Sequence, residues 1–62
     1  MKIYYVFFDE MIYFQSTNKA LSFLAYDEAC KNFSAKRVKF VVYQFSSYGF
    51  TVDISVIYDV EN

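Results

Sequence analysis

The sequence predicts an α+β domain of order β-β-α-β-β, an antiparallel four-stranded sheet with one short helix packed on one face. Three observations point there. Two runs of Tyr, Phe, Ile and Val open the chain around the polar pair Asp9-Glu10. A helical periodicity follows, and two further extended runs close the chain around its single glycine, Gly49.

The first strand reads Lys2 to Phe8, and Asp9-Glu10 break it. Met11 to Ser16 make the second strand, rich in residues that suit a pleated, half-buried surface. Thr17-Asn18-Lys19 interrupt it. Ala20 to Leu24 read either as extended chain past an irregularity or as loop. The helix is placed at residues 26–35. Tyr26, Ala29, Cys30 and Phe33 repeat at i, i+3, i+4 and i+7, one helical face, while Asp27, Glu28, Lys31 and Asn32 occupy the other. Asp27 and Lys31 stand four apart with the acid first, the favourable order for an ion pair, and the acids lie in the first turn, where the helix dipole favours them. An Ala25 cap would place Glu28 in a capping box that lacks its hydroxyl.

Arg37 to Ser46 form the third strand, Ser47-Tyr48-Gly49 the turn, and Phe50 to Val60 the fourth strand. The fourth strand alternates most cleanly. Phe50, Val52, Ile54, Val56, Tyr58 and Val60 are assigned to a dry face, and Thr51, Asp53, Ser55, Ile57 and Asp59 to a wet one, with Ile57 alone out of character. The first and third strands are apolar on both sides, which marks them as central or covered.

The chain is a single small domain over residues 1–62. A domain of this size buries only ~60% of the surface its unfolded chain exposes, so its stability is expected to be marginal. The usual reinforcements are disulfides, a metal or self-association. Cys30 is the only cysteine and there is no His, so neither an intrachain disulfide nor a zinc site is expected, and no cofactor is implied. What remains is a core rich in large rings, or a core shared between chains. The chain holds seven Tyr and eight Phe, more ring surface than a short helix on one face can cover. The surplus is expected on the other face, with Tyr5, Phe7, Tyr43 and Phe45 the leading candidates for a partner-binding patch. The competing reading is that rings on a sheet simply stabilise their cross-strand neighbours.

Charge narrows the function classes. Six basic against seven acidic residues give a net charge of −1, not the basic excess that neutralises many phosphates. Lys36, Arg37 and Lys39, followed by Phe40 and Tyr43, make one basic-aromatic cluster, a single-strand nucleic-acid motif in principle. A solvated strand entry is the preferred reading, so nucleic acid is not the expected partner. Asp53 and Asp59 are read as an acidic stripe along the fourth strand, suited to a basic groove on a partner. No enzyme is expected: no His can activate Cys30 or a serine, and the paired acids Asp9-Glu10 and Asp27-Glu28 point apart. The apolar runs are too short to span a bilayer, and the opening run lacks a signal peptide's length and cleavage site. The cytoplasm is the expected setting, in agreement with the unpaired thiol.

No family motif is present. Size, acidity and ring content are similar, in composition alone, to those of small phage and mobile-element proteins that block a host protein by binding it, anti-CRISPR proteins among them. Abundant Lys, Asn, Ile, Tyr and Phe, all encoded by A/T-rich codons, agree with such an origin. The expected function is therefore non-catalytic binding to a larger host protein, possession of a basic nucleic-acid-binding surface being one feature of a suitable partner. Alternatives are a homodimer joined through the ring-bearing face, and a single-strand nucleic-acid binder.

Overall fold

A computed structural model describes residues 1–32 and 37–61 of the chain. The order is β1 (Lys2–Phe8), β2 (Met11–Ser16), α1 (Lys19–Asn32), β3 (Arg37–Phe45) and β4 (Thr51–Glu61). The strands form one antiparallel sheet in the order β2-β1-β3-β4, with α1 against one face. The β-β-α-β-β expectation is met, and the bounds of β1 and β2 coincide with it. Phe33, Lys36 and the expected helix end at residues 33–35 lie outside the described residues.

Both hairpin turns follow from local chemistry. Phe8 pairs with Met11, which leaves Asp9 and Glu10 as a two-residue loop, both at positive φ (48° and 71°). That is the mirror-image turn whose twist matches a hairpin. Asp tolerates this region; Glu has no comparable local hydrogen bond to compensate it. The loop is tied to the start of β3, since Asp9 N–H donates to the Arg37 carbonyl (2.9 Å) and Asp9 Oδ1 accepts from Arg37 N–H (2.9 Å). In the β3–β4 turn, Gly49 N–H donates to the Ser46 carbonyl (3.0 Å) and Gly49 adopts φ 87°, the conformation that favours glycine.

The helix differs most from expectation. It begins at Lys19, not residue 26, and has no acid in its first turn. Asn18 is the cap: its Oδ1 accepts from Leu21 N–H (3.0 Å), and its own N–H donates to Ser16 Oγ (3.0 Å). Ser22 Oγ donates to the Asn18 carbonyl (2.9 Å), which allows the hydroxyl to be fully buried. The buried face is Ser22, Tyr26 and Ala29 at i, i+4 and i+7, with Ala25 and Cys30 half-buried beside it. Leu21 and Leu24 stay exposed on the other sides, and Phe23 is part-exposed at the edge of the buried face, its ring against Phe40 and Tyr58. In the first two turns the exposed sides carry apolar residues while a serine, Ser22, takes a buried position, so the periodicity that marks a helix is lost there. The expected Asp27–Lys31 pair forms at 2.9 Å.

Val6, Val38 and Phe40 supply the sheet's side of the core, each 0–1% exposed, against Tyr26 and Ala29 of the helix. Around Phe40 the rings of Tyr4, Phe23, Tyr26 and Tyr58 gather with centroids 5.7–6.2 Å away. Rings at this spacing add roughly 0.5–1.5 kcal/mol per pair beyond the area they bury.

Directly opposed residues of an antiparallel pair project to the same face, and this settles β4. Val60 opposes Val38 and Tyr58 opposes Phe40, so both face the helix. The register then shifts: Val56 opposes Val41 and Ile54 opposes Tyr43. Ile57 is the extra residue of a β-bulge and packs against the core cluster. Between it and a second register shift beside Phe45, the side chains of β4 have changed face. The single dry face expected for Phe50 to Val60 is therefore corrected: Tyr58 and Val60 lie under the helix side, and Ile54 and Val56 lie on the open side. The limits of the last two strands also move by one residue, β3 ending at Phe45 and β4 running Thr51–Glu61.

Candidate interaction face

The face away from the helix carries a ladder of rings. Tyr5 and Phe7 of β1 stack at 5.9 Å, Tyr5 meets Tyr43 of β3 at 4.7 Å, and Tyr43 stacks on Phe45 at 6.3 Å. The four residues singled out from the sequence are thus contiguous. Alternation explains it: the odd residues of β1 and of β3 share this side, and the pairings Ile3 with Tyr43 and Tyr5 with Val41 bring them into adjacent rows.

The four rings are half-buried although no element among the described residues lies over them. They shield one another, and together they roof Val41, which is only 4% exposed. Flanking the ladder are aliphatic side chains that the sequence reading did not single out for this face. Ile12 opposes Phe7 and is 57% exposed; Ile54 and Val56 are 54% and 56% exposed. The signal for Ile54 and Val56 was present in the one apolar residue among polar ones, Ile57, since a break in alternation marks a bulge.

Charge gathers at one end of this face. Arg37 donates to Asp59 twice, Nε to Oδ1 at 2.9 Å and Nη2 to Oδ2 at 2.6 Å. The two hydrogen bonds, and then the opposite charge, hold the Asp59 carboxyl below its ordinary value and the Arg37 guanidinium above its own. Lys39 Nζ lies 5.5 Å from the Phe7 centroid, a cation over a ring face. Arg37 and Lys39 thus share the ladder's face, but one is paired with an acid and the other rests on a ring; Lys36 is outside the described residues.

The acidic stripe does not exist as expected. Asp59 opposes Lys39 on the open face, whereas Asp53, beyond the bulge, opposes Gln44 on the helix face and accepts a hydrogen bond from Ser55 Oγ (3.3 Å). A bulge between them has put the two carboxylates on opposite sides of the sheet.

A second apolar region is an open groove of about 510 Å³ between β2 and the helix, lined by Tyr13, Phe14, Leu21, Leu24, Ala25 and Glu28. Among the described residues no group of three or more His, Cys, Asp or Glu is placed to hold a metal ion, and no helix is long and apolar enough to cross a membrane. No family model, curated protein or solved structure matches the chain.

Proposed function

We propose that this chain is a non-catalytic protein-binding module, an inhibitor or modulator of a larger host protein of the kind phages and mobile elements encode, acting by steric occlusion. The observation that carries this reading is the ring ladder Phe7–Tyr5–Tyr43–Phe45 on an uncovered sheet face, bordered by Ile12, Ile54 and Val56, each more than half exposed. A patch that joins rigid rings to exposed aliphatics, with its charged side chains at one end, has the make-up of an interface centre with a polar rim. Tyr suits such a role, because a buried ring face and a wet hydroxyl coexist on one side chain.

The basic-aromatic alternative is weaker on this geometry. A single-strand binder needs free cations beside ring faces, and here Arg37 is engaged by Asp59.

The test compares baits in a bacterial lysate. The native chain is expected to retain a defined protein that a Tyr43→Asp chain loses and a Lys19→Glu chain, altered at the start of the helix, keeps. Identical retention by all three baits sinks the assignment to this face. Sedimentation over a wide concentration range identifies the other occupant, a second copy: concentration-dependent dimerisation abolished by Tyr43→Asp replaces the foreign partner with self-association.

A further inference from the structure

The two edges of the sheet differ in a way that the ring ladder does not explain. The β2 edge is six residues of uncharged sequence, Met11–Ser16. The β4 edge runs eleven residues, Thr51–Glu61, and carries Asp53, Asp59 and Glu61 with no basic residue. Among the described residues the backbone of β4 pairs with β3 alone, so its outer row of N–H and C=O groups is open. An open strand edge is a template for another strand. Apolar side chains border it on both faces: Ile54 and Val56 on the open side, Tyr58 and Val60 on the helix side, all 39–56% exposed.

From this we infer that the outer edge of β4 is a docking edge for a basic, extended segment of a protein partner, which adds a fifth antiparallel or parallel strand beside Asp53–Glu61. The occupant follows from charge. A second copy of this chain brings the same three acids and no base to the seam, so two β4 edges repel each other as like charges. The acids, with the bulge at Ile57, guard the edge against self-pairing. A strand bearing Lys or Arg turns the same acids into attraction. Arg37 offsets Asp59, which also opposes Lys39, but Asp53 and Glu61 have no ion-pair partner among the described residues. Because the acids point to both faces, they greet alternate side chains of an incoming strand on either side, so one docked strand meets complementary charge above and below the sheet. This edge is separate from the ring ladder, and either can fail without the other.

The probe is a blocked peptide of about ten residues repeating Val-Val-Lys-Lys, so that lysines project to both faces, and long enough at ~3.3 Å per residue to follow the strand. It is titrated into isotope-labelled protein while amide shifts and hydrogen exchange are read. The expected result is binding with new protection confined to the amides of β4, about tenfold weaker for the Asp53→Lys/Glu61→Lys chain and largely lost at about 1 M salt, where the screening length is ~3 Å. A peptide with Glu in place of Lys is expected not to bind, nor one with a central proline, which cannot complete a ladder. The amide spectrum of the double variant reports directly that it is folded. The inference is overturned if shifts fall on β2 or the ring ladder, if the Glu or proline peptide binds equally, if the folded double variant binds equally, or if the Lys peptide shows no binding at about 1 mM, the weak end of specific affinity. Binding of the peptide with Tyr43→Asp unchanged keeps this edge distinct from the open face.

Discussion

The two faces of this sheet have similar composition and different fates. On the helix side, Tyr4, Val6, Val38 and Phe40 are closed over by Tyr26 and Ala29, and burial at Val6 and Phe40 is complete. On the open side, Tyr5, Phe7, Tyr43 and Phe45 have only each other, and they bury a single residue, Val41, while remaining half-exposed themselves. Rings can thus serve as core or as roof. Which they become depends on whether a second layer lies over them, and the helix reaches one face only. The covered face should hold the stability of the domain, and the open face should hold its capacity for partners.

The sharpest way to break this contrast is a pair of truncations read by urea unfolding. Phe40→Ala removes a fully buried ring from the centre of the cluster and is expected to cost about 3–5 kcal/mol, a large share of what so small a domain possesses. Tyr43→Ala, in the ladder, is expected to cost about 1–2 kcal/mol, from lost cross-strand contact and partial exposure of Val41. Equal costs would mean that the open face is core in all but name.

Alkaline pH sharpens the contrast through Tyr26. Burial, and next the neighbouring Cys30 thiol, push its phenol from 10.0 up to about 12. The raised value means that the fold favours the neutral phenol. This stability is complete below pH 10 and is lost as pH rises from there toward 12, by roughly 2–3 kcal/mol at most. A Tyr26→Phe chain should show a flatter alkaline limb over that window when unfolding is followed by circular dichroism. An unchanged limb would show that Tyr26 ionises as freely in the fold as outside it.

A smaller effect concerns the cover itself. Asn18→Ala removes the cap that starts the helix and is expected to cost about 1 kcal/mol. Hydrogen exchange should then speed up in α1 before it does in β1 and β3, loosening the covered face alone. An effect of similar size and opposite sign is a gain. Glu10→Gly relieves a non-glycine residue at φ 71° and is expected to raise the midpoint of thermal unfolding by an amount equivalent to roughly 1 kcal/mol, with both faces unaffected.

Some of this architecture was legible residue by residue. Asp9-Glu10 between two β-rich runs marked a hairpin, Gly49 marked another, and the odd positions of β1 and β3 marked the four rings of the ladder. The first two helical turns were not legible, because Leu21, Phe23 and Leu24 erase the polar face that reveals a helix, although Asn18 three residues before Leu21 was a cap signal in plain view. Asp53 and Asp59 were misjudged as one stripe, for a reason that is purely geometric.

The chain's own letters determined the strands, their hairpins, and the excess of rings over what one helix can hide, because strand preference, turn chemistry and side-chain size are local properties. Only the folded sheet decided which side each β4 residue takes. Side-chain direction alternates at every residue, so one extra residue at Ile57, admitted by pairing with β3, reverses the direction of residues 53–56 until a second register shift beside Phe45, and although Ile57 hints at the first extra residue, no local pattern records where the reversal ends.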